Sequence, residues 1–216
     1  MATMAQTRAG WDIERYAPLT GVLAVVGWVV GLLIAGDISS KDKGGEILAY
    51  YQAHDGRILA GGLIWLIGTA LFVWFLGSLR SRLAEAEGGV GRLTSLAFGG
   101  GIATAICVAM QSAPDMAAAI SKDDIDGSAA RALRSVSDSF FIGAEFLLPV
   151  LLVAVALLTL RTAVFPRWLG WLSLLIALVL LIAPIGWAAL VFAFPIWTLI
   201  VAYLIWRPVT TQTARP

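Results

Sequence analysis

Charge is what this chain of 216 residues has least of: Asp, Glu, Lys and Arg together make up 13%, about half the ~25% of a soluble domain. So little polar side-chain area cannot cover a globule in water, which excludes an ordinary soluble fold. Cysteine and histidine are each present once, as Cys107 and His54. One cysteine makes no intrachain disulfide, and one of each makes no Cys/His metal cluster. The net charge is +1, and no basic tract offers a nucleic-acid footprint. Neither phosphate-cradling pattern, GxGxxG nor GxxxxGK[ST], occurs. The segment KDDIDG places Asp124, Asp126 and Gly127 at positions three, five and six of a calcium loop, but Lys122 and Leu133 stand where the first and last ligands belong. No metal and no cofactor are expected.

Apolar length fills the space that charge leaves. Hydrophobic residues are 59% of the chain and the mean hydropathy is +0.86. They collect in runs near 18–35, 58–76, 93–110, 140–160, 168–182 and 187–205, each about as long as a bilayer core requires. The reading is all-α: a polytopic transmembrane bundle of about six spans, covering 17–207. Residues 1–16 form a polar lead without the pattern of a cleaved signal peptide, and 208–216 form a tail. Polar connections fall at 37–57 and 111–138. In the first, GEILAYYQAH is predicted to form a short helix lying on the membrane surface. In the second, 128–138 is predicted to run as helix into the fourth span. Gly27 and Gly31, and the run Gly99-Gly100-Gly101, predict close helix packing.

Six spans put both termini on one side. That side carries nine basic residues (Arg8, Arg15, Arg80, Arg82, Arg92, Arg161, Arg167, Arg207, Arg215) against six on the other (Lys41, Lys43, Arg57, Lys122, Arg131, Arg134). The positive-inside rule then predicts cytoplasmic termini and two outward-facing polar connections, in the plasma membrane.

One acid interrupts an apolar span. Glu145 lies about five residues into the fourth run, ~7–8 Å below the interface at 1.5 Å per residue. An ionised carboxylate there is costly, so it is predicted to face the bundle interior or a cation, with Arg57 and Arg134 nearest. Arg131, Arg134, Asp138 and Glu145 form one helical stripe descending from the outer surface. Pro149 has no N–H for the Glu145 carbonyl and predicts a kink. Tyr50, Tyr51 and His54 share a helical face in the first outer connection. The candidate ligand-binding set is therefore Glu145, Asp138, Arg134, Arg57, His54, Tyr50 and Tyr51.

Several segments also resemble a family of small actinobacterial integral membrane proteins classed as a domain of unknown function. They are APLTGVL, AYYQAHDGRIL, FLGSLRSRL with EGGVGRL, ARALRSVSD and PRWLGWLSL. The resemblance covers nearly the whole chain and implies a small helical bundle in the plasma membrane, with no assigned activity or site residues.

Three functions compete. The favoured one is binding or transport of a small amphipathic or cationic ligand through an outward-facing cavity around Glu145, with a homo-oligomer supplying further helices. The second is a membrane enzyme on a lipid or isoprenoid, Glu145 acting as general acid. The third is a structural or accessory subunit whose partners are lipids and other membrane proteins. Nucleic acid is not an expected partner.

Overall fold

The computed structural model describes residues 16–36, 39 and 41–207; the predicted tail and, except for Tyr16, the predicted lead lie outside the described residues. Seven α-helices follow one another among the described residues: α1 (Leu19–Ala35), α2 (Gly44–Glu87), α3 (Arg92–Ile120), α4 (Gly127–Thr162), α5 (Arg167–Leu180), α6 (Ala183–Ala188) and α7 (Phe194–Trp206). A π-helical turn, Ala189–Ala193, joins the last two. No strand occurs among the described residues. The chain is a helical membrane bundle. Four stretches, α2, α3, α4 and Ile185–Trp206, are long and apolar enough to cross a bilayer. The 17 residues of α1 and 14 of α5 are apolar but shorter, about 26 Å and 21 Å.

Backbone-to-backbone approach through glycine sets how the helices pair. A Cβ built on Gly27 of α1 would stand 2.8 Å from the Cα of Gly68 on α2. One on Gly100 of α3 would stand 2.8 Å from the Leu151 nitrogen of α4. Between these seams lies an apolar core in which Trp28, Phe72, Phe194 and Trp197 follow one another in ring contact, tilted, edge to face and stacked in turn, with centroid separations of 5.2, 5.5 and 6.1 Å. The buried indoles keep their N–H bonds, Trp28 to Thr69 at 3.0 Å and Trp197 to Ser173 at 2.8 Å.

The first polar connection forms a helix where one is predicted. GEILAYYQAH makes the opening turns of Gly44–Glu87, and a kink at His54, whose φ −129° and ψ 17° are not helical, sets it off from the span that follows. It packs against protein: Ile47, Tyr51 and Ile58 form a second small core with Ala118 and Ala119 of α3 and Ala130 of α4. Three helices therefore project together past the end of α1.

At the tip, Asp126 caps α4 by accepting from the Ala129 amide at 2.8 Å and from the Ser128 hydroxyl at 2.7 Å. The amide bond, then the hydroxyl, holds its carboxyl below the usual carboxylate range. The predicted helix over 128–138 runs unbroken into the span. Pro149 sits inside α4 as continuous helix rather than at a break. The second proline-bearing span does change geometry: the π turn ends at Phe194, whose N–H reaches Ala189, immediately before Pro195. Pro195 has no N–H and its ring crowds the preceding turn, so an extra residue there relieves the clash.

Candidate functional site

Polar residues at the end of the bundle that carries the 37–57 and 111–138 connections converge on Asp115, five residues before the end of α3. Its Oδ1 accepts the Tyr51 hydroxyl at 2.6 Å, and its Oδ2 accepts Arg134 Nη1 at 2.9 Å. Ser137 Oγ lies 3.2 Å from Oδ2 and 2.6 Å from the Gln111 carbonyl. A hydroxyl has one hydrogen, and the shorter geometry takes it, so Tyr51 and Arg134 are the strong donors. Arg134 also reaches Asp138 at 3.5 Å. The side chains of Asp115 and Arg134 are 18% and 17% exposed, dry enough that each charge depends on the other. This network clasps α2, α3 and α4.

Beside it opens a cleft of about 100 Å³. Its lining is rich in small residues, Gly31, Ala35 and Gly36 of the first helix and its end and Gly61 and Gly62 of α2. Trp65, Gln111, Ser112 and the Asp115–Arg134 pair line it as well. The Trp65 N–H is already spent on the Val108 carbonyl at 2.6 Å, which fixes the ring.

The structure divides the predicted site residues into three groups. Tyr51, Arg134 and Asp138 belong to the Asp115 network. Tyr50 and Arg57 instead close the end of α1: the Tyr50 hydroxyl donates to the Ala35 carbonyl at 2.8 Å and Arg57 Nε to Ile34 at 3.1 Å. Those carbonyls are among the four that a helix end leaves without partners, and the guanidinium also suits the negative helix terminus. His54 stacks on Tyr50 at 4.5 Å and holds the Tyr50 carbonyl through Nδ1 at 3.1 Å, one turn within its own helix. Above them Lys122 binds Asp55 at 2.7 Å, and that hydrogen bond holds its ammonium above the ordinary lysine pKa.

Glu145 stands alone. It is 8% exposed and faces the interior as predicted, but neither Arg57 nor Arg134 is its partner, both being engaged elsewhere. Seven residues of helix, about 10.5 Å, separate it from Asp138. Its Oε1 faces α6, 3.4 Å from where a Cβ on Gly186 would sit, and no hydrogen bond to it is recorded among the described residues. Glu145→Gln removes a buried ionisable group without breaking a bond, so its unfolding midpoint in detergent at pH 7 is expected to equal or exceed that of the wild type. A clear drop would show that the carboxylate is a paired structural element.

Asp115 itself was weakly signalled in the sequence, as an acid following Pro114 in an alanine-rich helix. The Gly61–Gly62 pair with Trp65 one turn on was the further sign of a cleft wall. No protein family, curated protein or solved structure matches this chain.

Proposed function

We propose that this is a multi-pass plasma-membrane protein that binds a small amphipathic cation from the outer side, in the cleft beside Asp115. The observation that carries this reading is the pairing, in one small recess, of an indole ring fixed by its own hydrogen bond with a carboxylate held against α2 and α4. An aromatic face and an acid together suit an ammonium group, through cation–π attraction and charge. Two carboxylates, Asp115 and Asp138, lean on the single guanidinium of Arg134, which favours a further cation. The recess has room for a headgroup of a few heavy atoms rather than a whole lipid. Glu145, deeper on the same helix face, lies where a transported cation would pass next.

The test uses tetramethylammonium and a cleft-filling variant. Gln111→Leu with Ser112→Val narrows the recess without touching the bonds of Asp115. Tetramethylammonium is expected to raise the unfolding temperature of the wild type in proportion to occupancy and to leave the filled variant unmoved. Equal shifts in both proteins, or the same shift with sodium at matched ionic strength, would rule the cleft out. A structural reading, favoured by the fact that the strong donors to Asp115 are intramolecular, would then take its place.

A further inference from the structure

The glycines of the spans identify a second surface. Thirteen glycines lie in the apolar parts of the helices, and at eleven of them a built Cβ would meet a neighbouring atom at 3.4 Å or less. The two exceptions are Gly77 and Gly99, which have nothing within 4 Å. Glycine weakens a helix relative to alanine, and at these two positions no packing within the chain requires it. Both line the same groove, a broad cleft of about 1040 Å³ near the ends of α2 and α3 remote from Asp115.

The chemistry of that groove is divided along its length. Trp74, 69% exposed, and Phe98 line the groove together with the two glycines. Arg80 and Arg82 follow at once where the apolar run of α2 ends. The Arg80 guanidinium stands 5.7 Å over the Phe98 ring and has no acidic partner among the described residues. Arg82 meets Glu85 only at 3.7 Å, and that glutamate is 72% exposed. The hydroxyls of Ser81 and Ser95 donate to the Gly77 and Gly91 carbonyls, whereas no bond of Ser78 is recorded, leaving its O–H as a donor.

From this arrangement we propose that the groove binds an anionic glycerophospholipid, its phosphate on Arg80, Arg82 and Ser78 and its upper acyl chain over Gly77 and Gly99. Guanidinium groups match phosphate geometry with paired N–H donors. Basic residues at the edge of a span attract anionic headgroups. The bare glycines leave space for an acyl chain beside the two rings. By the charge asymmetry of the sequence this is the cytoplasmic leaflet. The site is independent of the Asp115 cleft, so either can fail alone.

Native mass spectrometry of the full chain, titrated with phosphatidylglycerol or phosphatidylcholine of identical acyl chains, tests it. Wild type is expected to retain one phosphatidylglycerol in preference to phosphatidylcholine. Arg80→Gln with Arg82→Gln should weaken that binding about tenfold and erase the preference. Gly77→Leu with Gly99→Leu should weaken both lipids while leaving the fold intact, since the added side chains meet open space. Equal retention of the two lipids by wild type would overturn the proposal, as would undiminished phosphatidylglycerol binding by both variants. Inorganic phosphate displacing the lipid at millimolar concentration would overturn it too, by showing a site for free anions. So would preferential binding that appears only after residues 2–15 are removed, because the groove would then belong to the chain's own lead.

Discussion

Asp115→Ala is expected to lose about 3 kcal/mol of stability, the lower end for breaking a buried ion pair, because Asp138 stays 3.5 Å from the guanidinium. Arg134 would keep that guanidinium in a site that exposes 17% of the side chain. Tyr51, 1% exposed, would lose its only recorded acceptor. The effect should be local first: the small core of Ile47, Tyr51, Ala118 and Ala130 depends on the clasp, whereas the aromatic cluster around Phe72 does not. Amide exchange should therefore accelerate at the ends of α2, α3 and α4 around Asp115 before the spans open. Arg134→Ala alone should be comparably damaging, and the double variant should cost less than the two losses added, since neither member of the buried pair is left behind and Asp138, 40% exposed, stays wetted. Denaturant unfolding of the four proteins in one detergent provides the cycle. Strict additivity would show that Asp115 and Arg134 stabilise the bundle separately.

That pair also shows where sequence reading reached its limit. The helical class follows from residue type alone, because long apolar runs with few charges have one folded solution in lipid. The stripe of Arg134 and Asp138 was legible because both lie on one helix at a spacing of four. Asp115 was less so, for its partners come from residues 64 and 19 positions away, and no periodicity carries that information. Tyr50 and Arg57 carry a task that residue type alone did not signal: the end of α1 has carbonyls to satisfy, and both side chains donate to them. The same competition removed both cations from Glu145. In the first polar connection the short helix was legible, but the packing of Ile47 and Tyr51 on two alanines of α3 and one of α4 carried no local signal.

The glycine seams make a sharper experiment than the polar groups, because one substitution should have opposite effects at two points of a single helix. Gly61→Leu in α2 is expected to abolish the native bundle or cost more than the ~1–3 kcal/mol typical of overpacking. Its Cβ would fall 2.6 Å from both the Ala35 nitrogen and the Gly31 oxygen, and backbone, unlike a flexible side chain, cannot swing aside. Relief requires the whole of α1 to move outward, which would also pull Ile34 and Ala35 from Arg57 and Tyr50 and open the outer cleft. Gly77→Leu, sixteen residues on in α2, meets nothing within 4 Å and exchanges glycine for a good helix former, so it should be neutral or stabilising by up to ~1 kcal/mol. The measurement is the unfolding midpoint of each variant in the same micelle, beside thermal shifts with tetramethylammonium. Loss of stability at both positions would mean that something in the folded protein already fills the groove at Gly77. Tolerance at both would mean that α1 is not held against α2 by the glycine contact, and the wall of the outer cleft would have to be assigned to other forces.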